Sequence, residues 1–389
     1  MFINVGVFFG GRSVEHEVSV ISALQAIEQL DKTKYKVVPI YIAKDGQFYN
    51  NPELLQIENY KDITLLLSKC KKVTLGNIEG KVVVINSKLG KFTNNIIDTI
   101  DIAFPIIHGT NGEDGSLQGY FETLNLPYVG CDILSSAVGM EKIFTKGILK
   151  EAKIPVVEFS WFYSSEWAKD SDDIILKLEK SLGYPMIVKP SNIGSSVGIT
   201  KVNNKEELID SVDIARKFSF RILVEKMIKN LKEINCSVLG DYDDSYASVC
   251  EEPITSDDIL TYQDKYINSG SKGMGGAKRR IPADISEEVS SKIQDLSKET
   301  FKSLGCSGVI RIDFLIDNDS NKIYVNEINS IPGSLAFYLW EASAMKYVTL
   351  LDNLIHLALK KSREKKELTF SYDTNLLSLN AQGLKGLKK

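Results

Sequence analysis

The sequence predicts an α/β protein whose first third is a doubly wound parallel sheet. A continuous apolar run at 3–9 ends at Gly10-Gly11, and apolar residues then recur at helical spacing from about 15 to 30. Further strand-like runs occupy 35–42 and 100–107. Strands that alternate with helices form parallel sheets covered by helices, and ligands gather at the carboxyl ends of those strands. We therefore expect functional residues in the turns that follow these strands.

The chain of 389 residues is too long for one ordinary core and predicts two or three domains. We place an N-terminal α/β domain at 1–130, a central unit at 131–224 and a third unit at 225–368, with a tail at 369–389. Residues 50–100 are lysine-rich and less regular, and we expect a peripheral excursion of the first domain there.

Composition and charge exclude several classes of protein. Hydrophobic content of 43% and charged content of 25% are typical of a soluble globular protein. The net charge of −4 predicts no nucleic-acid or membrane partner, and no apolar run is long enough to span a membrane. The first residues run into a strand without a basic segment, so we expect no signal peptide. Five dispersed cysteines without CxxC spacing predict reduced thiols and a cytoplasmic location.

Oxygen-bearing side chains recur in two late apolar strands. Arg311 and Asp313 lie two residues apart in one strand, and Glu327 and Asn329 lie two residues apart in the next. Side chains two residues apart share a face of a strand, so pairing of the two strands would bring Asp313, Glu327 and Asn329 together. Such a set of hard oxygen ligands suits Mg²⁺. The alternative is the polar face of an exposed hairpin.

A glycine- and serine-rich turn at 190–198 follows Lys189 and includes Ser195 and Ser196. Small residues let backbone N–H groups approach an anion, and hydroxyl groups add donors. The spacing is not that of a P-loop, and no helix follows. A ribbon whose tip covers phosphates fits the pattern, and an ordinary flexible hairpin is the alternative.

The apolar connector at 223–228 contains Glu225, Met227 and Ile228. Glu225 is a candidate for hydrogen bonding to adenine, with Met227 or Ile228 packed on the ring. Glu233 follows shortly after and is a candidate acceptor from ribose hydroxyls. Solvated surface glutamates are the alternative for both acidic residues.

Two turns of the first domain and one long loop complete the candidate site. Glu15 lies where the first strand passes into a helix, which suits either an anchor for a substrate ammonium or a carboxylate that favours the helix dipole. His108 stands where an apolar strand opens into a glycine-rich loop, a position that favours ligand contact. The loop at 254–282 contains Lys265 and Tyr266 and suits a lid that carries a cation towards phosphate, or a disordered charged loop.

Taken together, these segments resemble the D-alanine–D-alanine ligase family of ATP-grasp enzymes, from Val5 to about Gly333. The resemblance rests on five motifs in the family order, which lie at 10–19, 108–119, 189–198, 311–314 and 326–329. It implies a three-domain ATP-grasp fold with ATP between the central and C-terminal units. It also implies a homodimer formed through the first domain.

The resemblance implies a role for each candidate residue. The residues that would contact the nucleotide are Lys142, Lys189, Ser195, Ser196, Glu225, Met227, Ile228, Glu233 and Lys265. The residues that would bind the metal are Asp313, Glu327 and Asn329. Glu15 would hold the ammonium of the first D-alanine, with His108 near its carboxylate. Arg311 and the backbone at Gly333 would stabilise an oxyanion, and Ser195 and Tyr266 would hydrogen-bond to Glu15. The implied cofactors are ATP and Mg²⁺ or Mn²⁺, with two metal ions.

The implied reaction joins two D-alanines through an acyl phosphate for peptidoglycan synthesis. One segment departs from the family, because apolar and aromatic residues replace most hydroxyl-bearing residues in Ser334–Trp340. This departure leaves open a D-alanine–D-serine or D-alanine–D-lactate ligase. An ATP-binding protein without catalytic activity is a further alternative, and the complete metal and oxyanion set counts against it.

Overall fold

The computed structural model describes residues 2–88, 95–194, 197–254 and 279–373. These residues form three sheets of seven, four and five strands. The first sheet contains β1 (Ile3–Gly10), β2 (Tyr35–Ile42), β3 (Phe48–Asn50), β4 (Lys71–Ile78), β5 (Lys81–Asn86), β6 (Ile96–Ile100) and β7 (Ile102–Ile106). Its helices are α1 (His16–Gln29), α2 (Ile63–Lys69) and α3 (Ser116–Thr123), with 3₁₀ turns at Pro52–Leu55 and Ile57–Asp62.

The first sheet has the strand order β6-β5-β4-β3-β2-β1-β7. Strand β1 pairs in parallel with both β2 and β7, which confirms the predicted parallel core of this domain. Strands β3 to β6 extend the same sheet by antiparallel pairing. We predicted a peripheral excursion at 50–100, but three described strands of that range, β4 to β6, form one edge of the sheet itself, because each pairs with its neighbour.

Alternate residues of β1 face opposite layers. Val5, Val7 and Phe9 lie in one apolar cluster with residues of α1. Phe8 lies in another cluster and its ring stacks at a tilt against Phe121 of α3, with 4.8 Å between the ring centroids. From Val5 onward both faces of the strand are buried, which explains its continuous apolar sequence.

The second sheet is antiparallel with the order β10-β9-β11-β8. The elements of this unit are α4 (Ile133–Met140), α5 (Lys142–Glu151), β8 (Phe159–Tyr163), α6 (Ser164–Trp167), α7 (Ser171–Ser181), β9 (Met186–Pro190), β10 (Thr200–Val202), α8 (Lys205–Ala215) and β11 (Arg221–Lys226). Met186, Val188, Ile222 and Val224 pack on α7 and α8. The opposite face of the sheet carries Lys189 and Glu225, which alternate with these apolar residues.

The third sheet is antiparallel with the order β14-β13-β12-β15-β16. The elements are β12 (Leu231–Gly240), β13 (Ser245–Pro253), β14 (Arg279–Arg280), α9 (Glu287–Ser303), β15 (Gly308–Asp317), β16 (Lys322–Asn329), a 3₁₀ turn at Gly333–Ala336, α10 (Phe337–Ala342) and α11 (Tyr347–Lys366). Residues of β12 and β15 such as Ile234, Ile312 and Phe314 pack on Ile293 and Phe301 of α9. The residues between them face the other side of the sheet.

The last helix, α11, returns to the first domain. Its residues Leu350, Leu354 and Ile355 are fully buried in the same cluster as β1 and α1. Tyr35 of β2 donates to Asp352 Oδ1 at 2.5 Å, and Lys34 Nζ lies 3.1 Å from Asp352 Oδ2. The N-terminal sheet thus depends on the C-terminal part of the chain for part of the layer that covers one of its faces.

Within the part of the chain that the structure describes, no helix is both long enough and apolar enough to cross a membrane. All five cysteines lie within the described ranges and none forms a disulfide.

Replacing Leu354 with Ala tests the contribution of α11 to the first domain. The side chain is fully buried between α11 and the N-terminal sheet, so we expect a loss of about 2–5 kcal/mol in the free energy of unfolding. Urea denaturation measures this change. The exposed Leu176→Ala on α7 is the matched control, with an expected change within about 0.5 kcal/mol. Equal stability of the two variants would contradict this account of the packing.

Candidate active site between the three sheets

The two late strands pair as the sequence predicts. In the antiparallel register of β15 and β16, Asp313 lies opposite Glu327 and Arg311 lies opposite Asn329. Directly opposed residues point to the same face. That face is the one turned away from α9, so the four polar side chains share one surface of the third sheet.

The polar row continues across the sheet. Asn235 of β12 lies opposite Asp313, and Glu251 of β13 lies opposite Asn235. Asn235 Nδ2 donates to Glu251 Oε2 at 3.3 Å. Glu327, Asp313, Asn235 and Glu251 therefore form one continuous row of oxygen-bearing side chains across four strands.

Arg311 and Asp313 form a bidentate ion pair. Arg311 Nε lies 2.6 Å from Asp313 Oδ1, and Nη2 lies 2.8 Å from Oδ2. Asn329 Nδ2 also donates to Asp313 Oδ2, at 3.2 Å. Burial lowers the pKa of the Arg311 guanidinium, but the charge of Asp313 outweighs it and raises that pKa well above its usual range. Arg311 is therefore a fixed positive charge on this surface.

The donor set fits a divalent metal. Asp313 and Glu327 supply carboxylate oxygens, and Asn329 supplies an amide group. Within the described ranges there is no group of three or more His, Cys, Asp or Glu side chains arranged to hold a metal. Two carboxylates suit a small hard ion that takes its other ligands from phosphate and water.

Facing this surface, the second unit presents a buried cluster of lysines around one carboxylate. Glu225 Oε1 lies 2.7 Å from Lys146 Nζ, and Glu225 Oε2 lies 2.5 Å from Lys189 Nζ. Burial alone would raise the pKa of Glu225, but the two ammonium groups lower it to about 2. Burial lowers the pKa of Lys146, and Glu225 offsets this only in part. Both carboxylate oxygens of Glu225 thus contact lysines, and the adenine contact predicted for this residue stays a prediction.

The lysines also reach the third sheet. Lys142 Nζ lies 3.6 Å from Glu327 Oε2 and donates to the carbonyl of Ile193 at 2.9 Å. Lys189 Nζ donates to Asn326 Oδ1 at 3.3 Å. Positive groups of one unit and carboxylates of the other thus line the two sides of one cleft, an arrangement suited to nucleotide phosphates and a metal ion.

Lys146 was not identified from the sequence. It lies one helical turn after Lys142 on α5, and this spacing of four residues places both side chains on one face of the helix. This four-residue spacing is the sequence feature from which Lys146 could have been identified. Both lysines are buried, which is rare for lysine unless it is paired.

The other predicted nucleotide-binding residues lie directly after β11 and on β12. Met227 and Ile228 are half-buried in the connector after β11, where the N–H of Met227 donates to the carbonyl of Pro185 at 3.1 Å. Glu233 on β12 is half-buried, and its charge acts on Lys189. Burial lowers the pKa of Lys189, but Glu225, Glu327 and Glu233 together outweigh it and raise that pKa.

Glu15 lies where the first and second units meet. It is buried at the start of α1. A Cβ atom on Gly109 would lie 2.7 Å from Glu15 Oε2, and one on Gly194 would lie 3.3 Å from it. Gly109 also has a φ of +74°, so this close approach requires glycine. The predicted Ser195, Ser196, Lys265 and Tyr266 lie outside the described residues.

His108 clamps the loop that contains Gly333. Its Nδ1 lies 2.7 Å from the carbonyl of Ile331, and its Nε2 lies 2.9 Å from Ser22 Oγ. Burial lowers the pKa of His108, and Glu15 offsets this only in part, so the ring is neutral. Nδ1 must donate to the carbonyl, and Nε2 therefore accepts from Ser22. Ser22 Oγ in turn accepts from the N–H of Ser334 at 3.0 Å.

Glu113 is a second residue that the sequence did not single out, although it lies within the glycine-rich motif after His108. Its carboxylate accepts from the N–H of Gly109 and from the N–H of Ile331, both at 2.8 Å. Burial, followed by the nearby charge of Glu15, raises the pKa of Glu113 to about 8. One side chain thus joins the loop of the first domain to the loop before Gly333.

A strained turn follows Gly333. Ser334, Leu335 and Ala336 have φ values of 50°, 53° and 51°, in the left-handed region that side chains disfavour. Each such residue costs about 1–3 kcal/mol. Ser334 Oγ donates to Gln25 Oε1 at 2.7 Å, and Leu335 and Ala336 are buried, so packing holds the turn in place. The backbone at Gly333 is thereby fixed.

Two antiparallel sheets that enclose a cleft, with lysines on one side and carboxylates on the other, define the ATP-grasp class of enzymes.

Comparisons with known proteins agree with this class. The family model of the D-ala D-ala ligase N-terminus matches residues 4–131, and that of the D-ala D-ala ligase C-terminus matches residues 148–356. The D-alanine–D-alanine ligase of Thermosipho melanesiensis is 42% identical over 97% of this chain and 99% of its own length.

Solved structures agree as well. The D-alanine–D-alanine ligase of Coxiella burnetii has a TM-score of 0.77 and 31% identity, and the match covers 98% of this chain and 99% of that one. The VanG D-Ala:D-Ser ligase of Enterococcus faecalis has a TM-score of 0.77 and 32% identity, over 92% of this chain and all of that one.

The chain belongs to the D-alanine–D-alanine ligase family. The predicted family, its ATP-grasp fold and its class of ATP-dependent ligase are confirmed. The family uses ATP and a divalent metal ion.

Replacing Glu225 with Gln tests the lysine cluster. The substitution leaves two buried ammonium groups without their shared anion, so we expect a loss of about 3–5 kcal/mol in the free energy of unfolding. Denaturant unfolding measures it. Lys146→Met is the matched control. It leaves the ion pair of Lys189 and Glu225, which has no net charge, so we expect a smaller loss in the free energy of unfolding. A smaller loss for Glu225→Gln than for Lys146→Met would contradict this view of the cluster.

The raised pKa of Glu113 predicts a pH dependence of stability. Between the ordinary carboxyl pKa of 4.5 and the folded value of about 8, the folded protein binds one proton more than the unfolded chain. Stability from this group is therefore complete below pH 4.5 and is lost as pH rises to 8, with a slope of at most about 1.4 kcal/mol per pH unit. Unfolding of wild type and Glu113→Gln at several pH values should differ by this slope, and parallel curves would refute the assignment.

Proposed function

We propose that this protein joins two D-alanine molecules into D-alanyl-D-alanine and converts ATP to ADP and phosphate. The observation that carries the proposal is the cleft in which Lys142 and Lys189 of one unit face Asp313 and Glu327 of the other, beside Arg311. This cleft combines the charges needed for phosphoryl transfer with a guanidinium suited to an oxyanion.

Mg²⁺, with Mn²⁺ as an alternative, would be held by Asp313, Glu327 and Asn329, and we propose two ions. When bound, the metal offsets the negative charge of the ATP phosphates. Lys142 and Lys189 supply fixed positive charge on the opposite side of the phosphates. The buried Glu225 holds Lys189 in position at 2.5 Å.

The first step requires a positioned carboxylate. Glu15 would hold the ammonium group of the first D-alanine, so that its carboxylate oxygen attacks the γ-phosphorus of ATP. The bond from that phosphorus to the β–γ bridging oxygen breaks, ADP leaves and an acyl phosphate forms. Glu15 is buried against both glycine turns, and this burial supports exclusion of water from a hydrolysable intermediate.

The second step forms the peptide bond. The deprotonated amine of the second D-alanine attacks the acyl carbon, and the resulting oxyanion would be stabilised by Arg311 and by the N–H of Gly333. Phosphate then leaves, and the amine loses its remaining extra proton. His108, Glu113 and the strained turn after Gly333 hold this loop in place, which supports a preorganised oxyanion site.

We further propose a homodimer in the cytoplasm that supplies the dipeptide to peptidoglycan synthesis. A second candidate is a ligase that uses D-serine as the second substrate. It is favoured by the altered segment Ser334–Trp340 and by the likeness to the D-Ala:D-Ser ligase structure. The D-lactate variant is a further alternative. A binding protein without catalysis has less support, because the cleft retains the full set of charged groups that phosphoryl transfer needs.

The test of the proposed function is phosphate release with ATP, Mg²⁺ and D-alanine, with mass spectrometry of the products. D-Alanyl-D-alanine in equal amount to ADP and phosphate is the expected result. A product that forms only when D-serine or D-lactate is added would favour the second candidate or the D-lactate variant. Folded protein that binds ATP but forms no product with any of these substrates would overturn the ligase proposal.

Replacing Glu327 or Asp313 with Ala should abolish measurable turnover, because each change removes a carboxylate that would hold the metal ion. Steady-state phosphate release measures this loss. Asp319→Ala is the matched control, since Asp319 is an exposed carboxylate in the turn of the same hairpin. Turnover of Glu327→Ala at the wild-type rate would refute the metal assignment.

A further inference from the structure

We propose that Arg279 binds the α-carboxylate of the second amino acid in this protein. The inference rests on the proposed function and specifies its second substrate site. The altered segment Ser334–Trp340 contains only two hydroxyl-bearing residues, Ser334 and Tyr338. Both hydroxyl groups already donate to other side chains, Ser334 to Gln25 and Tyr338 to Glu251. Another group must therefore hold the carboxylate.

Arg279 lies on the active face of the third sheet. In the pairing of β13 with β14, Arg279 is opposite Pro253 and Arg280 is opposite Glu252. Pro253 is two residues from Glu251 and shares its face, which is also the face of Asp313 and Arg311. Arg280 points to the opposite face, where its Nη1 lies 2.8 Å from Asp284 Oδ2.

The surroundings of Arg279 form a built site. Its Nη1 lies 3.2 Å from Glu251 Oε1, and its guanidinium carbon lies 4.1 Å from the centre of the Tyr338 ring. The hydroxyl of Tyr338 donates to the other oxygen of Glu251 at 3.1 Å. The Arg279 side chain is 12% exposed and Glu251 is 5% exposed. Stacking and ion pairing together fix the plane of the guanidinium.

Two guanidinium groups therefore flank one region. The charges of Glu251 and Tyr338 affect the pKa of Arg311, and both arginines affect the pKa of Tyr338. Since Arg279 also pairs with Glu251, the four groups lie close together. The reaction puts two anionic groups in such a region, the oxyanion and the carboxylate of the incoming amino acid. Arg311 is assigned to the first. Arg279 has the fork of N–H donors that matches a carboxylate.

A guanidinium recognises the carboxylate and not the nucleophile, so the site requires a free α-carboxylate whether an amine or a hydroxyl attacks. D-Alaninamide, which lacks this charge, should be a poor second substrate. Removal of Arg279 should weaken the binding of D-alanine at the second site. The preference of that site for D-alanine over D-alaninamide should then become smaller.

The test separates the two substrate sites. Hydroxylamine replaces the second amino acid by attacking the acyl phosphate, and D-alanine hydroxamate and phosphate form without use of the second site. For Arg279→Met we expect dipeptide formation with a second-site KM for D-alanine raised about tenfold to a hundredfold. Hydroxamate formation and the KM for ATP should stay within about twofold of wild type. Arg280→Met on the same short strand is the matched control and should leave both products unchanged.

Arg279→Lys keeps the charge but loses the fork, so its second-site KM should fall between those of wild type and Arg279→Met. If Arg279→Met does not fold, the second-site KM of Arg279→Lys tests the proposal instead. An unchanged second-site KM in either variant would overturn the proposal, as would a parallel loss of dipeptide and hydroxamate, which indicates a structural role with Glu251. Wild-type protein that forms neither product would contradict the proposed function itself.

Discussion

The balance of buried charge where the three units meet is the constraint on which the site depends. Glu225 contacts two of the three lysines that are buried within the described ranges, Lys146 and Lys189, and Glu327 lies 3.6 Å from the third, Lys142. Asp313 pairs with Arg311. Removing one partner from such a pair leaves an uncompensated buried charge, which is strongly destabilising. The pairs that stabilise the fold therefore also fix the positions of the lysines and carboxylates on the two facing sheets.

The loop around Gly333 depends on the first domain for its shape. His108 and Glu113 engage the backbone of Ile331, and Ser22 engages the N–H of Ser334. These bonds offset the strain of three consecutive left-handed residues. The first domain and the loop around Gly333 are thus held together by direct hydrogen bonds, although His108 and Ile331 are 223 residues apart in sequence.

The local sequence pattern was sufficient to predict residues whose positions follow from the alternation of side chains in a strand or from a short motif. The pairing of Asp313 with Glu327 could be predicted because side-chain direction in a strand repeats every two residues. Prediction was less successful where contacts are distant in sequence. Lys146 and Glu113 were missed because their partners lie on other elements. The pairing of Arg279 with Glu251 could not be predicted because it requires the register of β13 with β14.

The sequence by itself determined the family, the parallel core of the first domain and the strands that carry Arg311, Asp313, Glu327 and Asn329. These features are encoded locally, in the spacing of apolar residues, glycines and carboxylates. Only the tertiary structure decided that Glu225 binds two lysines, because buried charges select partners by distance in space. It likewise decided that β4, β5 and β6 extend the first sheet, since strand pairing depends on neighbouring edges rather than on the sequence of one strand.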